Sequence, residues 1–428
     1  MINIGLIGFG NVGKSVFDIF AENGDLISNR IGQPIHIKKI AVRSIEKYSS
    51  QVPDPSLLTD SVDDILQDPD IDIVVEVMGG DQPAYNFITQ ALTHKKHVVT
   101  ANKEVVSKHK RHFFQCAKEH GVDIYFEAAV GGGIPIIRSL KVGFSANNIT
   151  AFYGIVNGTT NYILTKIQEE GKDFNTVLKT AQELGFAEAD PTMDISGLDA
   201  AYKCVILAAV AFKIDVQLDS VYYEGIESIS LKDIQYADEL GFRIKLLAIG
   251  NRIDPDTFSL HVHPTLIPKE HPLSSVRNEF NATYIVGDQV GESMLMGKGA
   301  GGSPTASAVI SDIIDISFNL SQSVSYRNLE TRFSDAQVQS FDAHECQVYF
   351  RLSVKNTPGV LEQVSLQFSK HSISIEKIIQ KEMIDDRADV VIITSPMSES
   401  TSRLLQENIL SLDSCHQISS VLRLIKSF

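Results

Sequence analysis

The chain has 428 residues, more than a single hydrophobic core usually supports, so we expect two or three domains. Its hydrophobic fraction of 43% and charged fraction of 21% are typical of a globular protein. With 38 basic and 53 acidic side chains, the formal net charge is −15, which argues against nucleic acid or an acidic membrane as a partner. The sequence contains no apolar run long enough to span a membrane, and its first residues lack the pattern of a secretory signal. We therefore expect a cytoplasmic protein.

The cysteines are scattered along the chain, and we find no metal signature in the sequence. Cys116, Cys204, Cys346 and Cys415 show no CxxC spacing, which suits a reducing compartment. The histidines and cysteines also lack the spacing of zinc ligands, so we expect no catalytic zinc.

The N-terminal segment has the pattern of a dinucleotide-binding fold. The apolar run Ile2–Ile7 leads directly into a GxGxxG fingerprint, formed by Gly8, Phe9, Gly10, Asn11, Val12 and Gly13, and then into a helical pattern. In this context the glycines allow a tight turn and close approach of a pyrophosphate, whose charge the helix N-terminus stabilises. Further buried strands are predicted at 71–77 and 122–126. We therefore expect an α/β Rossmann-type dinucleotide-binding domain over residues 1–128, completed by about 300–322.

The end of the second predicted strand, 35–42, bears on which nicotinamide cofactor is used. An acidic residue there usually binds the ribose 2′-hydroxyl of NAD, whereas an arginine suits the 2′-phosphate of NADP, and this strand is followed by Arg43. A predicted loop at 23–34 lengthens the interval from the fingerprint, so this assignment depends on strand order. We expect NADP(H) to be preferred, although a single arginine does not exclude NAD(H). The alternative is an exposed arginine at a strand end.

An acid-rich segment precedes a fully apolar one near the middle of the chain. Residues 184–203 contain Glu188, Asp190, Asp194, Asp199 and Lys203, and 204–212 are uncharged. A helix is predicted over 198–212, so Asp199 and Lys203 lie one turn apart on one face. The aspartate would keep a partly desolvated ammonium protonated and positioned as a general acid. The alternative is an ordinary surface ion pair.

Several polar and glycine-rich segments are further candidates for a site. Lys103 follows a predicted strand, at the edge of the sheet where open α/β folds bind ligands. The triple glycine 131–133 suits either a loop around a cation or ligand, or a domain hinge. The polar turn 157–161 could cap a helix or line a site. A second glycine-rich loop, 296–305, would bring a late segment back to the cofactor.

The C-terminal part of the chain has the pattern of a small separate module. Residues 323–347 are polar without apolar periodicity, which predicts a linker. The order of elements predicted over 348–428 is βαββαβ, as in ferredoxin-like folds.

Together these segments resemble homoserine dehydrogenases over nearly the whole chain. The matching stretches are GLIGFGNVG, EVMGG, HVVTANKEVVSKH, YFEAAVGGGIPII, GIVNGTTNYIL, LGFAEADPTMDISGLDAAYK, HPLSSVRNEFNA and GKGAGGSPTA. The C-terminal module, with KNTPGVL at its first turn, resembles an ACT domain, a regulatory fold that binds small ligands. The resemblance implies a Rossmann-type domain, an α+β catalytic and dimerisation domain over 129–299, and a ferredoxin-like ACT domain over 348–428.

The resemblance also implies a reaction and a set of residue roles. The family interconverts L-aspartate 4-semialdehyde and L-homoserine with NAD(P)(H), in the branch of amino-acid biosynthesis that leads to threonine, methionine and isoleucine. Lys203 would donate the proton, Lys103 would lie between cofactor and substrate, and Glu188, Asp194 and Asp199 would bind the substrate. Gly185, Gly299 and Gly301 would close over the cofactor. Glu127 and the carbonyls of Val130, Gly132 and Ile134 would bind a monovalent cation, Na⁺ or K⁺.

The resemblance leaves the assembly and regulation of the protein open. We expect a monofunctional enzyme that forms a homodimer or homotetramer. The ACT module would bind an amino-acid effector such as threonine or would serve in assembly. The alternative function is an amino-acid sensor whose dehydrogenase fold binds cofactor without catalysis.

Overall fold

The computed structural model describes residues 1–322, 324, 333–334, 336–382 and 386–425. The chain forms two compact units that both draw on separated segments. Unit 1 comprises Met1–Thr150, Tyr202–Leu218 and Asn281–Ala336. Unit 2 comprises Ala151–Ala201, Asp219–Phe280 and Gln337–Phe428. Residues 323, 325–332 and 335 of the predicted linker lie outside the described residues.

The strands and helices are named here in chain order. The strands are β1 (Ile2–Ile7), β2 (Ile35–Ala41), β3 (Leu58–Thr59), β4 (Ile73–Glu76), β5 (His97–Thr100), β6 (Ile124–Tyr125), β7 (Ile149–Ile155), β8 (Tyr222–Tyr223), β9 (Phe242–Arg252), β10 (Thr257–Pro268), β11 (Phe280–Gly287), β12 (Gly291–Lys298), β13 (Gln337–Val338), β14 (Glu345–Lys355), β15 (Ile375–Glu382), β16 (Arg387–Thr394), β17 (Met397–Ser398) and β18 (Cys415–Leu424). The helices are α1 (Asn11–Ile31), α2 (Ile45–Tyr48), α3 (Asp63–Leu66), α4 (Ala84–Thr93), α5 (Lys103–His120), α6 (Ile136–Arg138), α7 (Gly158–Glu170), α8 (Phe174–Glu183), α9 (Thr192–Ile195), α10 (Leu198–Ala211), α11 (Leu231–Glu239), α12 (Gly302–Ser321), α13 (Val360–Lys370) and α14 (Glu399–Leu410).

Unit 1 contains a parallel sheet with the strand order β3-β2-β1-β4-β5-β6. Ile73, Val74 and Val75 in β4 are fully buried, as expected for a parallel strand that is covered on both faces. The order reverses between β1 and β4, and doubly wound folds bind their ligands at such a point. The predicted Rossmann-type fold is therefore confirmed.

The first helix is longer than the sequence analysis predicted. The loop predicted at 23–34 is wrong for most of its length, because α1 continues to Ile31. Ile27 and Ile31 are four positions apart and buried, so they add a further turn to the apolar face of the helix. This burial outweighs the unfavourable helix propensity of Asn23 and Gly24. Ile31 is the last residue of the helix, and the C-cap residue Gly32 has a φ of 80°.

Helix α12 is a late segment of the chain that packs against α1 within unit 1. Its buried Val309, Ile313 and Ile316 belong to the same core cluster as the strands β1, β2 and β4. A Cβ on Gly302 would lie 3.2 Å from the Asn11 carbonyl oxygen, so the two helix starts are in close contact. The second glycine-rich segment is thereby placed beside the first turn of α1.

Unit 2 contains a continuous sheet with the strand order β7-β9-β10-β18-β14-β16-β15. Strands β9 and β10 form a long antiparallel pair. The end of β10 runs parallel to β18, with Thr265 opposite Arg423 and Leu266 opposite Leu424. The sheet of the C-terminal segment therefore continues into the sheet that β9 and β10 form.

The C-terminal segment has the predicted βαββαβ order, formed by β14, α13, β15, β16, α14 and β18. Its strands lie in the order β18-β14-β16-β15, and all neighbours within it are antiparallel. Phe350, Val364, Phe368 and Leu405 are buried in one core between the helices and this sheet. This arrangement is ferredoxin-like.

Part of the segment predicted as a linker has regular structure. Strand β13 pairs with β10, and a 3₁₀ turn at Phe341–Ala343 follows it. The Phe341 ring stacks on the Tyr222 ring with centroids 3.7 Å apart. One aromatic side chain thus anchors a polar stretch that shows no apolar periodicity.

Helix α11 is attached to the C-terminal sheet by buried ionic contacts. The Arg351 Nε atom lies 2.7 Å from Asp233 Oδ1, and Asp233 is fully buried. Lys232 donates to Asp389 Oδ2 at 3.0 Å, and Asp389 is 2% exposed. These contacts link residues that are far apart in sequence, so they fix the helix on the sheet.

Candidate active site

The turn between β1 and α1 has the geometry of a pyrophosphate site. Gly10 is the N-cap residue of α1, and within the described residues no side chain caps this helix. The first amide groups of the helix therefore point outward without intrahelical acceptors. A Cβ on Gly13 would clash with the Gly8 carbonyl oxygen, whereas a Cβ on Gly10 would meet open space. The residues present thus fit the pyrophosphate of a dinucleotide.

Arg43 lies two positions beyond the end of β2, next to the start of α2, and its side chain is exposed. It follows the strand whose end contacts the adenosine ribose in Rossmann-type folds. An exposed guanidinium at this place provides the positive charge that a 2′-phosphate requires.

The loops that follow β4 and β5 are joined by a buried hydrogen-bond network. Glu76 is fully buried and accepts from Thr100 Oγ1 at 2.6 Å and from the Met78 amide at 2.7 Å. Burial raises the pKa of this carboxyl group. Glu76 and Thr100 were not predicted from the sequence, although an acid at the end of an apolar strand was a signal that could have indicated them.

Asn102 continues this network and positions Lys103. The Asn102 side chain donates to the Gly80 carbonyl at 2.6 Å and accepts from the Val105 amide at 3.3 Å, so it caps helix α5. Lys103 is the first residue of that helix and is partly buried. Its place is therefore determined by the cap and by the glycine turn after β4.

Glu127 is a buried carboxylate beside the triple glycine. Its two oxygens accept from the backbone amides of Ile137 at 2.8 Å and Arg138 at 2.7 Å. Burial raises the pKa of Glu127 to about 7. Val130, Gly132 and Ile134 follow in a tight loop, in which the Ile134 amide donates to the Gly131 carbonyl at 2.9 Å. Carboxylate and carbonyl oxygens suit a hard cation, so the residues present fit the predicted ion.

The two glycine-rich loops of unit 1 pack backbone against backbone. A Cβ on Gly132 would lie 2.6 Å from the carbonyl group of Gly299, and Gly132 has a φ of +54°. The Gly133 amide donates to the Lys298 carbonyl at 3.2 Å. Gly301, with a φ of 111°, is the N-cap residue of α12. Glycine at position 132 therefore permits the contact with the loop that carries Gly299 and Gly301.

In unit 2 the Asn157 side chain brings two of the predicted acids together. Its Nδ2 atom donates to Asp194 Oδ1 at 2.7 Å and to Asp199 Oδ2 at 2.8 Å. Its Oδ1 atom accepts from the Thr160 amide at 2.8 Å and thereby caps α7. Asp199 is 2% exposed. The polar turn at 157–161 was predicted from the sequence, but the contact of Asn157 with these two carboxylates was not.

Glu188 and Gly185 lie outside the two helices, α9 and α10, that carry Asp194 and Asp199. Both belong to the exposed connection between α8 and α9. Gly185 has a φ of 78° and ends the turn that follows α8. Their assignment to substrate and cofactor stays a prediction.

Helix α10 carries both Asp199 and Lys203, as predicted. It begins at Leu198, so the two residues are four positions apart on one helix. Lys203 is partly buried, and every residue from Cys204 to Phe212 is buried. The polar N-terminal turn of the helix is therefore followed by a core helix.

Comparison with known proteins identifies the family. Residues 8–127 match the family model described as homoserine dehydrogenase, NAD binding domain, and residues 135–314 match the one described as homoserine dehydrogenase. The chain belongs to the homoserine dehydrogenase family. Members of this family are NAD(P)-dependent oxidoreductases, and the match favours an enzyme over the alternative of a non-catalytic sensor.

Individual homoserine dehydrogenases match over almost the whole chain. The Bacillus subtilis homoserine dehydrogenase is 41% identical over 99% of this chain and 98% of its own length. The Synechocystis homoserine dehydrogenase is 42% identical over 99% of both chains. The crystal structure of a Thiobacillus denitrificans homoserine dehydrogenase superposes with a TM-score of 0.94 at 39% identity, covering 99% of this chain and 98% of the other.

A more distant homoserine dehydrogenase structure contains a cofactor. A hyperthermophilic archaeal homoserine dehydrogenase in complex with NADPH has a TM-score of 0.64 and 29% identity, and it covers 77% of this chain and 99% of its own. A nicotinamide cofactor for the family is thus supported by both this complex and the NAD-binding match. In the part of the chain that the structure describes, every helix is too short or too polar to cross a membrane.

Proposed function

We propose that this chain catalyses the reversible NAD(P)H-dependent reduction of L-aspartate 4-semialdehyde to L-homoserine. Asn157 joins Asp194 and Asp199, and Asp199 lies one helical turn before Lys203 on α10. This arrangement is the observation that carries the proposal. Two adjacent carboxylates suit the ammonium group of an amino-acid substrate. A lysine one turn further along the helix suits the carbonyl oxygen, on which negative charge develops.

Each residue has a separate part in the proposed reaction. Bound NAD(P)H supplies the hydride that reduces the aldehyde carbon. Lys203 stabilises the developing alkoxide and then donates a proton to it, and in the reverse direction it accepts that proton. Asp199 and Glu188 would hold the ammonium or hydroxyl end of the substrate, with Asp194 nearby. Lys103, at the start of α5, lies between cofactor and substrate.

We also propose a preference for NADP(H) and a bound monovalent cation. Support for the first comes from the exposed guanidinium of Arg43 after β2, where the adenosine 2′-phosphate is expected. Gly185, Gly299 and Gly301 belong to turns that would close over this cofactor. Support for the cation comes from the burial of the Glu127 carboxylate and from the tight loop just after it that carries Val130, Gly132 and Ile134. Na⁺ or K⁺ would bind there.

The finer organisation of the enzyme is proposed on the same basis. Residues 1–128 and about 300–322 would form the cofactor domain, 129–299 the catalytic and oligomerisation domain, and 348–428 an ACT domain for an amino-acid effector. Support for the ACT domain comes from the ferredoxin-like order of its strands. A cytoplasmic homodimer or homotetramer is the proposed assembly.

The first experiment measures initial rates of NADP⁺ and NAD⁺ reduction with L-homoserine at alkaline pH, with and without Na⁺ or K⁺. We expect a clear rate that favours NADP⁺ and increases with the cation. Lys203→Ala should abolish turnover and leave NADPH binding nearly intact, whereas Lys179→Ala, at an exposed position on α8, should have no effect. A normal kcat in Lys203→Ala would exclude the proposed role. Absence of a reaction in either direction would exclude the proposed function.

A further inference from the structure

Three histidines cluster in unit 2, away from the residues used by the proposed reaction. His261 and His263 are two positions apart on β10, so their side chains lie on the same face of the strand. Each is 1% exposed. His344 comes from the segment just before β14 and is half-buried. Ring nitrogens of the three histidines lie within 4.8 Å of one another.

The hydrogen bonds of His263 determine which of its nitrogens carries the proton. Its Nδ1 atom lies 3.2 Å from the Pro264 carbonyl and 3.0 Å from Thr265 Oγ1. The Thr265 hydroxyl donates to the His263 carbonyl at 3.1 Å, so its oxygen accepts from Nδ1–H. The Nε2 atom therefore has an available lone pair. Metal-binding histidines usually have this arrangement, in which the second nitrogen donates to a carbonyl.

Three ring nitrogens of His261 and His263 lack the hydrogen-bond partners that buried polar atoms normally have. Among the described residues, His263 Nε2 and both ring nitrogens of His261 are buried without a hydrogen-bond partner. Unpaired buried polar groups are rare, and each one requires an explanation such as an ion or a water molecule. Three such atoms at the same place indicate that a ligand completes the cluster.

The charges around the cluster are compatible with a bound cation. Arg423 is a positive side chain that acts on all three histidines, and its guanidinium is paired with Glu399 through bonds of 2.8 and 3.0 Å and also with Glu224. Two carboxylates therefore surround one guanidinium. Burial lowers the pKa of His261, His263 and His344, so all three are neutral near pH 7. Neutral imidazole is the form that binds metals.

We propose that His261, His263 and His344 form a binding site for a divalent transition-metal ion of the zinc class. Imidazole nitrogens favour zinc, cobalt, nickel and copper ions over magnesium and calcium. Three histidines are a known zinc ligand set, in which water takes the fourth position. The His261 and His263 rings are stacked with centroids 4.8 Å apart, so the His261 ring, whose nitrogens make no hydrogen bond among the described residues, has to rotate before the lone pairs converge on one ion. The bound ion would tie β10 to the segment before β14.

The test measures metal content and coordination in the full-length protein. Protein produced with added Zn²⁺ and then dialysed is analysed for metal by mass spectrometry, and a Co²⁺-loaded sample is examined for the visible bands of tetrahedral cobalt. We expect about one zinc ion per chain, with affinity reduced on the order of tenfold or more in His344→Gln. The matched control is His416→Gln, an exposed histidine on β18, which should bind like the wild type.

X-ray absorption of the zinc-loaded wild type makes the test independent of whether a variant folds. Zinc–nitrogen distances of about 2.0–2.1 Å with imidazole scattering would support the site. Wild-type protein that retains no stoichiometric zinc would overturn the proposal. It would also be overturned by a folded His344→Gln variant that binds zinc and cobalt as the wild type does, because the ion would then lie elsewhere.

Discussion

Asn157 donates a hydrogen bond of 2.8 Å from its side-chain amide to the buried carboxylate of Asp199. The other hydrogen of the same amide is directed at Asp194, at 2.7 Å. One neutral donor thus holds two carboxylates that would otherwise repel each other. The relationship places Asn157 in direct contact with both aspartates assigned to the substrate.

Replacement of Asn157 by aspartate should impair substrate binding. In Asn157→Asp the new carboxylate can still accept from the Thr160 amide and cap α7, but no donor remains for Asp194 and Asp199. Repulsion among three carboxylates should displace the pair. We expect kcat/KM for homoserine to fall by about 10- to 100-fold, a loss of about 1.4 to 2.7 kcal/mol in transition-state stabilisation. Steady-state kinetics measure this change.

The control for that variant adds the same charge elsewhere. Asn175→Asp changes an exposed position on α8, and we expect kinetics like those of the wild type. If Asn157→Asp keeps the wild-type kcat/KM while Asn175→Asp behaves as expected, the joined carboxylates do not bind the substrate.

Arg43 should determine cofactor preference. In Arg43→Asp the guanidinium is replaced by a carboxylate, which repels a 2′-phosphate and can accept from a ribose 2′-hydroxyl. We expect the ratio of kcat/KM for NADP⁺ to that for NAD⁺ to fall by about 10- to 100-fold. Arg30→Asp makes the same charge change at an exposed position in the last turn of α1 and should leave the ratio unchanged. An unaltered ratio in Arg43→Asp would mean that another residue selects the cofactor.

Lys245 should make stability depend on pH above neutrality. Burial, with the charges of Arg243 and Arg277, lowers the pKa of Lys245 to about 7 from an ordinary value of 10.5. Between these values the unfolded chain holds a proton that the folded chain has lost, so the free energy of unfolding rises with pH. Below pH 7 both states are protonated, and the contribution no longer changes.

The variant Lys245→Met tests this dependence. The free energy of unfolding of the wild type, relative to this variant, should increase by about 1 kcal/mol per pH unit between pH 7 and 9.5. Urea unfolding across this range measures the difference, and Lys179→Met provides the comparison at an exposed lysine. Parallel stability curves for the wild type and Lys245→Met would contradict the lowered pKa.

Asp233→Ala should destabilise unit 2 strongly. The change leaves the Arg351 guanidinium, 7% exposed, without its main partner on α11. Loss of one member of a buried ion pair typically costs about 3–5 kcal/mol. Urea unfolding should therefore show a large loss, whereas Asp256→Ala, in the exposed turn between β9 and β10, should cost little. The double variant Asp233→Leu, Arg351→Met should recover part of the stability but not all of it, because Asp233 also accepts from the Ser230 amide and hydroxyl and thereby caps α11. A double variant no more stable than Asp233→Ala would contradict the cost assigned to the unpaired guanidinium.

The local features of the sequence predicted the Rossmann-type fold and the start of α10 well. Strand β1, the glycine turn and the helix after it are adjacent in sequence, so their pattern is visible without the tertiary structure. The length of α1 was not predicted correctly, because its last turns depend on burial of Ile27 and Ile31 in the core. Propensity alone favours a loop at Asn23 and Gly24.

Contacts between distant segments were harder to predict than local motifs. Helices α7, α8 and α9 separate Asn157 from Asp199 in the sequence, and only the folded chain shows that the Asn157 amide reaches two acids. His344 is likewise far in sequence from His261 and His263, so no ligand spacing indicated the cluster. Glu188 differs from these residues, because the acid-rich segment that contains it was visible in the sequence. The structure places it in the exposed connection between α8 and α9.

The pairing of β10 with β18 has a consequence for the order in which the protein can fold during synthesis. Thr265 and Leu266 face Arg423 and Leu424, which are synthesised long after β10. Until then the end of β10 presents an unpaired strand edge, a surface prone to association with other chains. Completion of unit 2 therefore requires synthesis of β18, and a chain that stops before β18 should aggregate rather than yield a shorter folded enzyme.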